Sequence, residues 1–309
     1  MSLSKLLQFA CAILLSACAA TPTTPVVAQP PAAPKQEVVS PKVVVRPKVA
    51  LVLGGGAVRG FAHVGVIKVL EAQGVTPDIV VGTSAGSVVG VLYAAGYSGF
   101  DLQKIAFKLD EDTVGDWVIP NRGFIKGEAL QNYINKAVQN RRIEQLPKPF
   151  AAVATDLHSG EQVVFRRGNA GQAVRASSSV PTVFQPVSIN GRDFVDGGLT
   201  SPIPVRAARD IGADVIIAVD ISAKPRYARI DGLTDILLQT FAIMGQSIGS
   251  RELVDADVVI RPETGGFGAG DFTKKHEAIL EGEKAAQAAL PVIRQKIQQA
   301  ADRKTATAR

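Results

Sequence analysis

The stretch "IVVGTSAGSVVG", residues 79–90, joins a short β-branched run to small and apolar residues at helical spacing. A continuous apolar strand that leads through a glycine turn into a helix is the unit of a parallel sheet buried on both faces. At the junction, Gly82-Thr83-Ser84-Ala85-Gly86 fits G-x-S-x-G, in the strand-turn-helix setting that this motif requires. The glycines make room for a sharp turn. Ser84 then sits where free helix N–H groups favour a developing negative charge. A serine here is either a nucleophile or a hydroxyl in a tight turn, and its surroundings must decide.

Upstream, "KVALVL" at 48–53 reads as a strand that ends on glycines, and "GFAHVGVIKVLEAQG" as a helix. Downstream, "AGSVVGVLYAAG" reads as a helix that ends on Gly96. "PFAAVATD" and "DVIIAVD" read as buried strands, "PIPVRAARDIG" as a helix with prolines at its start, and residues 274–299 as a long amphipathic helix. The fold class is therefore α/β in three layers (α/β/α), with a mainly parallel central sheet. Between 99 and 149 the pattern weakens into short helical pieces with the single Trp117, a stretch that suits either a lid or a peripheral insertion.

The chain of 309 residues is 46% hydrophobic, enough for one large core. Its net charge of +6 is scattered, without a basic stripe or interleaved aromatics, which argues against a nucleic-acid partner. Residues 1–17 have the layout of a secretory signal: Lys5, then an apolar run over 6–15, then small residues. Ten helical residues reach only ~15 Å, against about 30 Å for a hydrocarbon core. The run ends in Leu15-Ser16-Ala17-Cys18, which resembles a bacterial lipobox and makes Cys18 the expected lipidation site. The only other cysteine, Cys11, also lies in the signal, so the folded part has no thiol for a metal site or a nucleophile. Residues 18–47, rich in Pro, Ala and Thr, read as a tether, 48–300 as the catalytic domain and 301–309 as a frayed polar tail.

A serine nucleophile needs a base, and the chain has three histidines. His63 lies on a densely apolar helix, where packing or hydrogen bonding is the expected role; His158 lies in a turn; His276 stands in a charged run. None has the setting of a triad member. A better candidate is Asp196 in "GRDFVDGGLTSPIPV", which a short strand delivers onto Gly197 and Gly198, although an Asp-Gly hairpin turn has the same look. Asp193, a nearby decoy, falls on a different face of the strand from Phe194. A third element, "LGGGAVRGFAHVG", has glycines and a helix start that suit an oxyanion or a phosphate. It fails the dinucleotide fingerprint in either frame and has no Gly-Lys-Ser/Thr.

These three pieces, in this order, resemble the patatin-like phospholipase family from about residue 48 to the last helix. The glycine loop (Gly54, Gly55, Gly56, Arg59, Gly60), the Ser84 elbow between Gly82 and Gly86, and the Asp196-Gly197-Gly198 triplet match its three motifs. "ASSSVPTVFQPV", residues 176–187, looks like the segment that leads into its aspartate; its apolar residues could line an acyl cleft or belong to the core. The resemblance implies a Ser84–Asp196 dyad without histidine, which forms an acyl-enzyme from an ester, with backbone N–H groups of Gly55, Gly56 and Arg59 as the oxyanion hole. It implies no metal and no organic cofactor, and a phospholipid or lysophospholipid substrate. Acyl esterase, thioesterase or acyltransferase chemistry on another substrate, and a non-catalytic membrane-tethered binding protein, remain as alternatives. With the lipobox, the expected place is the bacterial envelope, lipid-anchored; Ala19 in place of an aspartate points to the outer membrane, facing the periplasm.

Overall fold

The computed structural model describes residues 46–109, 126–222, 232–268 and 270–307. The expected signal, the expected lipidation site Cys18, most of the expected tether and Trp117 lie outside the described residues.

The chain alternates strand and helix as its pattern predicts. β1 (Val49–Leu53) leads to α1 (Phe61–Ala72), β2 (Ile79–Thr83) to α2 (Ala85–Ala94), and then come α3 (Gly99–Lys108) and α4 (Glu128–Ala137). β3 (Phe150–Asp156), β4 (Gln162–Phe165), α5 (Ala170–Ser177), β5 (Val187–Ile189) and β6 (Arg192–Asp196) follow. The chain continues through α6 (Val205–Asp210), β7 (Val215–Val219), α7 (Leu233–Glu252), β8 (Val258–Ile260) and α8 (Lys275–Thr307). The sheet order is β5-β6-β3-β2-β1-β7-β8, with β4 paired to β3. The pairs β1–β2, β1–β7, β2–β3 and β7–β8 are parallel, while β4 and β6 run antiparallel to β3, and β5 antiparallel to β6.

Strand residues alternate between two faces. Val49, Leu51 and Leu53 of β1 enter a core with Ile67 of α1, Val91 of α2 and Leu290 of α8, while Ala50 and Val52 pack with Val205 and Ala208 of α6. Because both faces are covered, β1, β2, β3 and β7 are buried along their whole length, which is why they read as unbroken apolar runs.

Two departures from the sequence reading stand out. The polar tail expected at 301–309 is helical to Thr307: Ala301 and Thr305 are buried, and Lys304 pairs with Asp214 at 2.6 Å. Packing and an ion pair hold a segment that polarity alone would leave frayed. The second is α7, which the hydrophobic pattern does not mark. Leu233, Ile236, Ile243 and Met244 lie along one side of it and are exposed.

Candidate active site

In register, Leu53 lies opposite Gly82 on one side and Val219 on the other, so β1, β2 and β7 end together. The turns that leave this edge carry the glycine loop and Ser84. It is the carboxyl edge of the parallel strands, where open α/β sheets bind ligands.

β2 ends at Thr83 and α2 begins at Ala85, so Ser84 alone makes the turn. Its φ of 53° and ψ of −124° lie in a region that costs a non-glycine residue ~1–3 kcal/mol. Small neighbours make the turn possible. A Cβ on Gly82 would fall 2.4 Å from the Gly86 carbonyl oxygen, and one on Gly86 would fall 2.0 Å from that of Leu53. Side chains on either side clamp the strained residue. Ser84 N–H donates to Ser177 Oγ at 2.9 Å, and Ser177 Oγ in turn donates to the Val153 carbonyl. Thr83 Oγ1 donates to the Ser201 carbonyl at 2.8 Å. Serine is a favoured helix N-cap, yet the Ser84 side chain makes no capping bond to α2. The hydroxyl is therefore not spent on capping the helix.

Asp196 ends β6, opposite Ala154 of β3. Its N–H donates to the Ser179 carbonyl at 2.9 Å, and its carbonyl accepts from Thr155 Oγ1 at 3.0 Å. Gly197 must be glycine, since a Cβ there would fall 2.2 Å from the Val153 carbonyl oxygen. Asp196 is 6% exposed. Oδ1 accepts from Gly198 N–H at 2.7 Å, while Oδ2 is buried without a regular hydrogen-bond partner. Burial raises the carboxyl to about 6, against the lowering effects of Gly198 N–H and the Ser84 hydroxyl. The Ser84 hydroxyl is thus close enough to act on the carboxyl without a tight bond to Oδ2, an arrangement that catalytic pairs tighten once substrate is bound. Asp193, by contrast, faces outward to Ser188 and His158.

The glycine loop departs in detail from expectation. Gly55 N–H donates to the Pro202 carbonyl at 3.0 Å and Arg59 N–H to the Gly56 carbonyl at 3.2 Å, so neither is free for an oxyanion. The Arg59 guanidinium is buried and donates to the carbonyls of Ile221, at 2.9 Å, and Phe267, at 3.4 Å, bracing the loop after β7. The unengaged N–H groups belong to Gly56 and Ala57, which head the 3-10 turn Ala57–Gly60 and have no acceptor among the described residues. Ala57 has a positive φ of 51° and shares a cavity with Ser84. The loop lies directly against the nucleophile position: a Cβ on Gly55 would stand 3.3 Å from Ser84 Cβ.

Among the described residues, no histidine is a hydrogen-bond partner of Ser84 or Asp196. His63 is buried, and burial lowers it to about 4, so it is neutral. Its Nε2 lies 2.8 Å from the Gly54 carbonyl and must carry the proton, which leaves Nδ1 without a partner. It braces the glycine loop. His158 is exposed beside Asp193, and His276 stacks on Phe107 with ring centroids 4.3 Å apart.

Ser84 opens on a cavity of about 290 Å³ whose walls are apolar: Val58, Phe61, Val88, Leu102, Leu130 and Phe184. Residues 99–149 thus contribute walls of the site through α3 and α4. Of the segment 176–187, Val180, Val183 and Phe184 line the cavity, whereas Val187 joins the core. A larger cavity of about 620 Å³ lies at the other end of the strands, beside Ile79 and Phe150, and contains none of these groups. Polar residues that the sequence motifs do not mark, Ser177, Ser201 and Glu252 of α7, support the turn. Ser177 stands in the quoted segment 176–187; Glu252 carries no sequence signal.

Comparisons with known proteins bear on the family and the fold. Residues 51–209 match the family model described as patatin-like phospholipase. An uncharacterized NTE family protein of Mycobacterium tuberculosis is 38% identical over 179 residues, 57% of this chain and 49% of the relative. Patatin-like phospholipase domain-containing protein 6 of Mus musculus is 34% identical over 184 residues, 57% of this chain and 14% of the relative. The chain thus spans about half the length of the mycobacterial relative and a small part of the mouse one. The crystal structure of VipD from Legionella pneumophila shares the fold, with a TM-score of 0.54 and 14% identity over 82% of this chain and 67% of that one. The chain belongs to the patatin-like phospholipase family.

Proposed function

We propose that this protein is a lipid acyl hydrolase of the phospholipase A or lysophospholipase type, with Ser84 as nucleophile and Asp196 as its base. The observation that carries this reading is the uncapped Ser84 hydroxyl, set between a buried aspartate and an apolar cavity. In the first step Asp196 takes the hydroxyl proton while Ser84 Oγ bonds to the ester carbonyl carbon. The N–H groups of Gly56 and Ala57 hold the oxyanion; one such donor is worth about 3 kcal/mol. The tetrahedral adduct collapses, the ester C–O bond breaks, and the alcohol leaves with the proton from Asp196. Water then repeats the sequence on the acyl-enzyme and releases the fatty acid. A carboxyl held near 6 is mostly ionised at neutral pH and a stronger base than an exposed aspartate.

The apolar walls favour an acyl chain over a polar substituent, which supports a lipid ester over a short polar one. Reading Cys18 as an acylated N-terminus belongs to the same proposal: anchored to the envelope by several acyl chains, the enzyme would work where its substrate is concentrated. Mass spectrometry of products formed from defined diacyl and lysophospholipid vesicles tests the function. Free fatty acid with wild type and none with Ser84→Ala is the expected result. Labelling of Ser84 by a fluorophosphonate without fatty-acid release would move the substrate to another acyl ester or thioester, and the absence of both would leave only a binding role.

A further inference from the structure

The last residue of α7, Glu252, is remote in sequence from every motif, yet its carboxylate sits under the nucleophile turn. It accepts from Ser201 Oγ and, at 2.9 Å, from Ile203 N–H. Between these two residues the chain presents two carbonyls to the active-site edge. That of Ser201 accepts from Thr83 Oγ1 at 2.8 Å, and that of Pro202 accepts from Gly55 N–H at 3.0 Å. Thr83 precedes the nucleophile and Gly55 precedes the free donors Gly56 and Ala57, so one tripeptide fixes both halves of the reacting geometry. α7 packs directly on that tripeptide: a Cβ on Gly249 would meet Ile203 at 3.3 Å and Pro202 at 3.5 Å.

We infer that Glu252 is a positioning residue, which holds Ser201–Ile203 so that the nucleophile turn and the oxyanion loop keep a fixed separation. The inference rests on the hydrolase reading and adds to it a residue outside the three motifs. Burial pushes the Glu252 carboxyl up to about 7 against the two donors; the carboxyl is kept inside for its bonds to 201–203 and not for exposure to water. Without it, the Ser201 hydroxyl and Ile203 N–H lose their acceptor, and the tripeptide is free to shift. Rate is sensitive to such shifts, because about 1 Å of misplacement costs on the order of 10²-fold.

The test compares wild type with Glu252→Ala, Glu252→Gln, Ser201→Ala and Thr83→Val, together with the double variant Thr83→Val/Glu252→Ala. Three readouts apply: kcat and KM on p-nitrophenyl butyrate, the rate of Ser84 labelling by a fluorophosphonate, and the circular dichroism spectrum. Glu252→Ala and Ser201→Ala are expected to lower kcat and labelling rate roughly tenfold or more with KM within about twofold, since geometry rather than binding is lost. Glu252→Gln, which keeps one acceptor oxygen, should recover part of the rate. The double variant should be no slower than the slower single one, because both act through the same carbonyl. Folded Glu252→Ala and Ser201→Ala proteins that label as fast as an active wild type overturn the inference, as does full additivity in the double variant. If Glu252→Ala does not fold, Ser201→Ala, which removes one hydroxyl, decides. A wild type that neither labels nor hydrolyses ester overturns the hydrolase reading, and this inference with it.

Discussion

Ser84 and Ser177 are joined by a 2.9 Å hydrogen bond from the backbone N–H of the first to Oγ of the second, and two residues later the Ser179 carbonyl receives the N–H of Asp196 at the same distance. The end of α5 and the residues just after it therefore hold Ser84 with one residue and Asp196 with another. This fixes the pair independently of any bond between their side chains, which explains how Oδ2 of Asp196 can stay unpartnered beside the hydroxyl.

Ser84→Ala is predicted to abolish ester hydrolysis, by at least ~10³-fold in turnover, with the fold intact, since it removes a single oxygen that makes no capping bond. Ser84→Gly should be equally inactive but more stable than Ser84→Ala by about 1 kcal/mol, because glycine relieves the positive φ. Thermal melts and ester assays on both variants check this, and a folded Ser84→Ala protein with near-wild-type activity would sink the mechanism.

Asp196 should set the acid limb of activity. As its carboxyl is held at about 6, kcat/KM should fall below that pH as the base is protonated. The sign for stability is opposite to that of an ion-paired aspartate. The folded value lies above the ordinary carboxyl value of 3.8, so protonation favours the folded state; that contribution is fully present below pH 3.8 and is lost as pH rises through 6. Asp196→Asn should therefore be nearly as inactive as Ser84→Ala, yet more stable than wild type above pH 6 by up to ~3 kcal/mol, with the gain shrinking toward pH 4. A gain in melting temperature that is the same at pH 4.5 and pH 8 would contradict the assignment.

How far the sequence discloses this site depends on distance along the chain. β2, α2 and Gly82 are legible because each is dictated by its immediate neighbours: the apolar run by burial on both faces, Gly82 by its contact with Gly86 within the turn. Which N–H groups of the glycine loop stay free is not legible to the residue, because Gly55 N–H is taken by Pro202, a partner on another element that no local pattern names. Glu252 is hidden for the same reason, since its partners Ser201 and Ile203 lie 51 and 49 residues upstream. The helical 301–307 segment depends on Asp214 and on core contacts far upstream.

The cavity predicts a chain-length preference. Val88 lies one helical turn after Ser84 and lines the apolar wall, so Val88→Phe should fill part of the 290 Å³ available to an acyl chain. Turnover of long-chain p-nitrophenyl esters should fall about tenfold or more relative to the butyrate, as expected when a few methylenes lose their pocket. Equal losses on both esters would mean that the acyl chain lies elsewhere.

The last prediction concerns the N-terminus. If Cys18 follows a lipobox, cleavage before it leaves an acylated protein in the membrane fraction, and the Pro-rich residues after it, extended at about 3.1 Å each, reach at most ~90 Å from the surface. Within that radius the enzyme meets lipid at a local concentration set by the tether rather than by diffusion from solution. Cys18→Ser removes the acylated sulfur but touches neither Ser84 nor Asp196, so hydrolysis of dispersed ester should survive while palmitate labelling is lost. Attack on membranes in the cell should fall with it. Fractionation of cells that express both forms, with labelled palmitate, decides the matter: a wild type without label in the soluble fraction makes residues 1–17 a plain secretory signal.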